Sequence, residues 1–144
     1  MGAVKAYDFL ARRLEEKGWL QIGDAFSIND AASSQFSRSY LLQFSGSTVT
    51  EQGDRSLIAD HSFTLFLLLS GWQRDLQSIK DAIMTGEKAI QELLDPVGMA
   101  QYGILAVTLN SYELSPFDDA SNDDKLLFVA ELSVKNALCI GNNN

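Results

Sequence analysis

The stretch Ser56 to Ser70, SLIADHSFTLFLLLS, constrains the fold more than any other. Read as a strand, it places Leu57, Ala59, His61, Phe63, Leu65, Leu67 and Leu69 on one face, because side chains alternate along a strand. Ser56, Asp60, Ser62 and Thr64 share the other face, which Phe66 and Leu68 then turn apolar. Such a strand starts half exposed and ends needing cover on both sides. At about 3.3 Å per residue it spans roughly 50 Å, more than the core of a small domain covers. One end is therefore expected to project or to meet another subunit. Phe66 and Leu68 are the candidates for burial by a second layer or a neighbour.

The flanking segments predict what packs on this strand. Ala3–Lys17 reads as an amphipathic helix, with Ala3, Ala6, Tyr7, Leu10, Ala11 and Leu14 at three- and four-residue spacing. Gly18 stands where a helix ends on glycine, and Trp19, Leu20 and Ile22 are expected to fold back onto the core. Gly23–Ser37 is Ala-, Ser- and Asn-rich and reads as a connection. Arg38–Glu51 reads as a first strand interrupted by Gly46, a candidate bulge or bend. Gln52, Gly53, Asp54 and Arg55 then turn the chain into the long strand.

Gln73–Leu94 predicts a second helix with Leu76, Ile79, Ile83, Ile90, Leu93 and Leu94 on one stripe. Gly86 lies in that stripe and costs roughly 1 kcal/mol against alanine in a helix interior. Either the helix breaks near Thr85–Gly86, or the glycine lets a sheet approach closely. Asp95–Pro96 ends the helix, and Gly98–Gly103 is a second connection. Ile104–Leu114 predicts a third strand, with Leu105, Val107 and Leu109 on one face. Leu126–Lys135 predicts a fourth, with Leu126, Phe128, Ala130, Leu132 and Val134 facing one way. Pro116–Lys125 is the loop between them. The pattern is α+β: a single domain over residues 1–144, with two main helices on one face of an antiparallel or mixed sheet that contains a long hairpin.

Residue types that carry chemistry are sparse. His61 is the only histidine; as a general base or metal ligand it would need partners, and the simpler expectation is a satisfied histidine on an apolar face. There is no G-x-S-x-G, no G-x-G-x-x-G and no phosphate-binding loop. Cys139 reads as a small core residue. Asp118, Asp119, Asp123 and Asp124 lack the spacing and closing Glu of a calcium loop. Arg12–Arg13 reads most simply as a solvated helix face. No catalytic residue, cofactor or metal is expected.

The formal net charge of −8 and the pI of about 4.4 disfavour direct binding to nucleic acid. They do not disfavour a protein that surrounds DNA without gripping it. No apolar run is long enough for a transmembrane helix, and charges from Lys5 onward argue against a signal peptide. Ala6 stands where a myristoylation signal needs Ser or Thr. A lone cysteine leaves no internal disulfide, so a cytoplasmic setting is the expectation.

Three features together resemble a known family. They are the strands of Tyr40–Leu69 around the charged Thr48–Arg55 turn, the helix Gln73–Leu94 directly after the long strand, and the pair Ile104–Leu114 and Leu126–Lys135 around an Asp-rich loop. This layout resembles the tail terminator (tail completion) proteins of long-tailed, lambda-like phages. The resemblance implies a structural virion protein: a ring, usually a hexamer, that caps the tail tube and offers a surface to the head connector. It implies the virion tail as location, with assembly in the host cytoplasm. The implied partners are further copies of the chain, the tail tube protein and a neck protein, with DNA only passing through a lumen and no membrane. Glu51, Gln52, Asp54 and Arg55 at the hairpin tip, Phe66 and Leu68 on the strand, and Asp118, Asp119, Asp123 and Asp124 in the acidic loop are the expected interface residues. Another phage neck protein, or a cytoplasmic ligand-binding or small enzyme domain, remains the alternative.

Overall fold

The computed structural model describes residues 2–21, 38–53, 56–69, 76–116 and 126–139. The first helix, α1 (Gly2–Glu16), buries Ala6, Phe9, Leu10, Ala11 and Leu14. Phe9 joins the expected stripe because it packs edge-on against Tyr102. At the end of α1 the Gly18 N–H donates to the Glu15 carbonyl at 3.1 Å and the Trp19 N–H to the Leu14 carbonyl at 3.0 Å. That pair of bonds closes the helix in a Schellman turn, which requires the positive φ of 95° that Gly18 adopts. The turn drops Trp19 into the core, 1% exposed, whereas Leu20 points outward at 63%. The expectation that Leu20 folds inward is thereby corrected: the two-residue strand β1 (Leu20–Gln21) leaves both its residues exposed. Ile22 and the connection Gly23–Ser37 lie outside the described residues.

Strands β2 (Ser39–Gln52) and β3 (Ser56–Leu69) form the long hairpin, paired antiparallel from Ser39↔Leu68 to Gln52↔Leu57. Gly46 marks a bulge, where the register shifts after Phe44. Ser70 and Gln73–Arg74–Asp75 lie outside the described residues, and α2 runs from Leu76 to Leu94. A 3₁₀ turn, Met99–Tyr102, occupies most of what reads as a plain connection. It leads into β4 (Ile104–Pro116), and β5 (Leu126–Cys139) follows. Both closing strands run further than their alternation suggests. The sheet order is β1-β2-β3-β5-β4, with β1 parallel to β2 and every other pair antiparallel. The fold is α+β, with both helices packed on one face of the sheet. Because β5 inserts between β3 and β4, the β3–α2–β4 passage is a split β-α-β unit.

The buried stripe of α2 differs from the expected one. Ala82, Gly86, Ala89, Ile90 and Leu93 are buried, while Leu76 is 69% exposed and Ile79 and Ile83 are half-buried. Small residues at four- and three-residue spacing let the helix axis approach the sheet, and the larger aliphatics are displaced to its flanks. Of the two outcomes open to Gly86, close approach is the one adopted. The helix is unbroken, and Phe128 of β5 fills the space where a Cβ on Gly86 would stand. On β4, Leu105 is also rotated out of its expected place and is 54% exposed. The register shifts between Ile104 and Ala106, so Ile104, Val107 and Leu109 share the inner face and Leu105 is the bulged residue.

One core joins α1, α2 and the inner face of β2, β3 and β5, through Leu10, Leu14, Tyr40, Phe63, Leu65, Leu67, Leu93, Phe128 and Leu132 among others. On the opposite sheet face, the register lines up Leu41, Phe66 and Val129, and next to them Leu68 and Leu127. Leu68 is 1% exposed within the chain itself, whereas Phe66 is half-buried.

Candidate functional site

The β2 side of the hairpin outruns the helix layer. Ser39–Leu42 of β2 are buried, and beyond them every residue to Gln52 is exposed except the half-buried Gly46. This exposed length of β2 is an edge arm laid along β3, which itself stays paired with β5 to its end and keeps Ala59, His61 and Phe63 buried. On its helix-side face stand Phe44, which packs at 5.6 Å on Phe63, and Val49. Phe44 is 50% and Val49 53% exposed.

A chain of polar side chains ties the middle of this arm to the sheet. Ser47 Oγ of β2 lies 2.6 Å from His61 Nδ1 of β3, and His61 Nε2 lies 2.8 Å from Asn136 Oδ1 of β5. Asn136 Nδ2 donates to the Gly2 carbonyl of α1 at 2.7 Å. A carbonyl accepts only, so this last bond orients the amide and leaves Oδ1 facing the imidazole. His61 Nε2 must then carry its hydrogen, and in the neutral ring Nδ1 accepts from the Ser47 hydroxyl. His61 is 2% and Asn136 1% exposed. Such groups are costly to bury unless bonded, and here both imidazole nitrogens have partners. A hydroxyl, an imidazole and an orienting amide in sequence also occur in acyl-transfer sites. In this chain the network joins three strands to the first residue of α1, and so sets the arm against the helix layer.

Arg13 is the residue that sequence patterning misplaced. It reads as a solvated helix charge, but it reaches from α1 to the C-terminal end of α2. Its Nη1 donates to the Glu92 carbonyl at 2.7 Å and to the Asp95 carbonyl at 3.4 Å, and its Nη2 donates to the Val97 carbonyl. The guanidinium carbon also lies 5.1 Å from the Phe9 ring centroid. A helix end leaves carbonyls without partners and carries partial negative charge. No basic residue stands in the last turn of α2 itself, so α1 supplies the cation. No signal within either helix alone could have shown this. Arg12 is exposed, as a solvated helix charge should be.

Beside this contact a groove runs between the two helices. One part, lined by Arg12, Arg13, Lys17, Glu92 and Tyr102 among others, encloses about 410 Å³. The next, about 270 Å³, is lined by Lys17, Trp19, Arg38, Thr85, Lys88, Ala89 and Glu92. The Arg38 guanidinium lies 4.8 Å from the Trp19 ring centroid, and its Nη2 donates to the Lys17 carbonyl at 3.2 Å. Trp19 Nε1 is buried without a hydrogen-bond partner among the described residues. An orphaned buried donor costs roughly 1–3 kcal/mol.

Two tyrosines are held protonated. Burial first, then a 2.7 Å hydrogen bond to Glu15 and the charge of that carboxylate, push the Tyr40 phenol well above its ordinary range. Tyr112 donates to the Glu87 carboxylate, and that bond is the main cause of its upward shift.

Among the expected interface residues, Glu51 and Gln52 are exposed at the far end of β2, and Phe66 and Leu68 lie on the face away from the helices. Asp54, Arg55, Asp118, Asp119, Asp123 and Asp124 lie outside the described residues. Glu51 and Gln52 are thus apart from the half-buried Phe66 and the buried Leu68, and the four form no single site. Among the described residues no group of three His, Cys, Asp or Glu side chains is placed to hold a metal. No described helix is long and apolar enough to cross a membrane. No protein-family model matches the chain, and no curated protein matches it.

Proposed function

We propose that the chain is a structural assembly protein that works as a homo-oligomeric ring, hexameric by resemblance, in the manner of the tail terminators of long-tailed, lambda-like phages. In this reading it caps the tail tube in the virion tail and presents a surface to a neck protein. It does so without cofactor, metal or turnover.

The observation that carries the proposal is the arm. Phe44 and Val49 hold apolar surface in water on the exposed edge length of β2, which the His61 network ties to β3 and β5. Such surface favours a partner. The arm's own edge favours a face-to-face contact over strand addition. β2 carries register shifts after Phe44 and after Val49, and bulges blunt an edge against pairing. An acidic chain of net charge −8 suits a lumen through which DNA passes unheld.

Sedimentation and negative-stain electron microscopy across protein concentration, alone and with tail-tube protein, test the proposal. A closed ring in either condition is expected, and Val49→Asp should shift it toward monomer while keeping the thermal midpoint within a few degrees. A strict monomer in both conditions, or a Val49→Asp ring identical to the wild type, overturns it.

A further inference from the structure

The groove between α1 and α2 has a chemistry that assembly through the arm does not use. Its 270 Å³ part brings Lys17, Arg38 and Lys88 together, three of the chain's eleven lysines and arginines, against the single carboxylate of Glu92. Two positive charges are left over, in a chain whose net charge is −8. Every side-chain group these three cations offer is a donor. Trp19 adds a fourth donor, an indole N–H that is buried and unpaired among the described residues. Thr85 adds no free donor, since its hydroxyl already donates to the Asp81 carbonyl at 2.8 Å. This part of the groove is therefore rich in donors and poor in acceptors.

We infer that this cavity binds a small oxyanion, a carboxylate or a phosphate group. Lys17 and Lys88 supply charge, and Arg38 supplies a planar fork suited to either group. Arg38 is exposed and lies over the indole ring, so it stands beside the buried donor. The anion accepts from Arg38 and from the Trp19 N–H at the edge of that ring. The cavity is smaller than those that enclose drug-sized ligands, so the ligand is a small acid or the acidic group of a larger one. Glu92 at the rim disfavours a second carboxylate on that side. The site needs no second copy of the chain, and its test is independent of ring formation.

The chain has two tryptophans, Trp19 and Trp72, and the Trp72→Phe variant assigns the indole ¹H–¹⁵N signal of Trp19. Wild-type protein is titrated with sodium phosphate and separately with sodium acetate, at ionic strength held constant with sodium chloride. A saturable movement of the Trp19 signal is expected with one of the two, and the anion that produces it names the group. Lys88→Gln, a change at an exposed position, should weaken the apparent affinity about tenfold, in line with loss of one charged partner. Calorimetric titration of wild type and Lys88→Gln gives the same comparison without the tryptophan variant. The inference is overturned if neither anion gives a saturable response beyond that of chloride. It is equally overturned if the response is unchanged in Lys88→Gln.

Discussion

The ring of Phe128 occupies the place that a side chain at position 86 would need. Helix α2 thus runs through Gly86 unbroken because the missing Cβ lets the aromatic ring of β5 seat directly against the helix. Tyr112 of β4 stacks against the same ring, with centroids 5.2 Å apart. Gly86→Ala should gain helix propensity of about 1 kcal/mol yet lose roughly 2–3 kcal/mol to overpacking against the ring, the upper part of the usual range, for a net loss of about 1–2 kcal/mol. Urea denaturation of Gly86→Ala, Phe128→Leu and the double variant checks it. The double variant should be more stable than the sum of the single losses requires; strict additivity would mean that the two residues do not meet.

Asn136 connects two partners that have no substitute. Replacing it with alanine leaves the His61 Nε2–H and the Gly2 carbonyl without their acceptor and donor. A loss of roughly 2–4 kcal/mol is expected for two orphaned groups of this kind. Ser47→Ala removes a bond at the exposed end of the network and should cost less, about 1 kcal/mol. Chemical denaturation of the two variants compares them, and equal losses at the two positions would contradict this order.

Tyr40 makes stability fall at alkaline pH. Its folded phenol binds a proton more tightly than the unfolded one, whose ordinary value is about 10. The stabilisation is therefore fully present below pH 10 and is lost as pH rises above it, where the unfolded chain releases the proton and the folded chain keeps it. Urea midpoints measured from pH 8 to pH 11 should stay level and then drop. Tyr40→Phe should flatten the drop, while Tyr112→Phe, at an exposed position, should alter it little. An undiminished alkaline drop in Tyr40→Phe would exclude this source.

Arg13→Gln should destabilise the chain by roughly 1–2 kcal/mol, because the carbonyls of Glu92, Asp95 and Val97 lose their shared cation. Arg12→Gln, one residue earlier and exposed, should change stability by less than about 0.5 kcal/mol. Thermal unfolding of both variants, with Arg13→Lys as a third, distinguishes a bridging guanidinium from a simple charge. Lysine should recover only part of the loss, since one ammonium does not span the same carbonyls in a plane.

Local chemistry determined the elements of this protein. Alternation from Leu57 to Leu69 made a strand, three- and four-residue spacing from Ala6 to Leu14 made a helix, and Gly18 ended it, because these depend only on neighbours in the chain. The close approach at Gly86 was also legible as one of two outcomes, since a glycine on a buried stripe has few uses. Other features were set by residues far apart in sequence. Which face α2 buries depended on Phe128, a residue of the last strand, and so Leu76 was exposed where its spacing suggested burial. The bulge at Leu105 came from the register of β4 on β5, which no period within β4 encodes. His61 was recognisable as a histidine needing partners, but Ser47, Asn136 and Gly2 became its network only when three strands and a helix end converged. Arg13 and Arg12 are adjacent and identical in type. Only the packing of α1 against the end of α2 decided that one would be a clamp on three carbonyls and the other a charge in water.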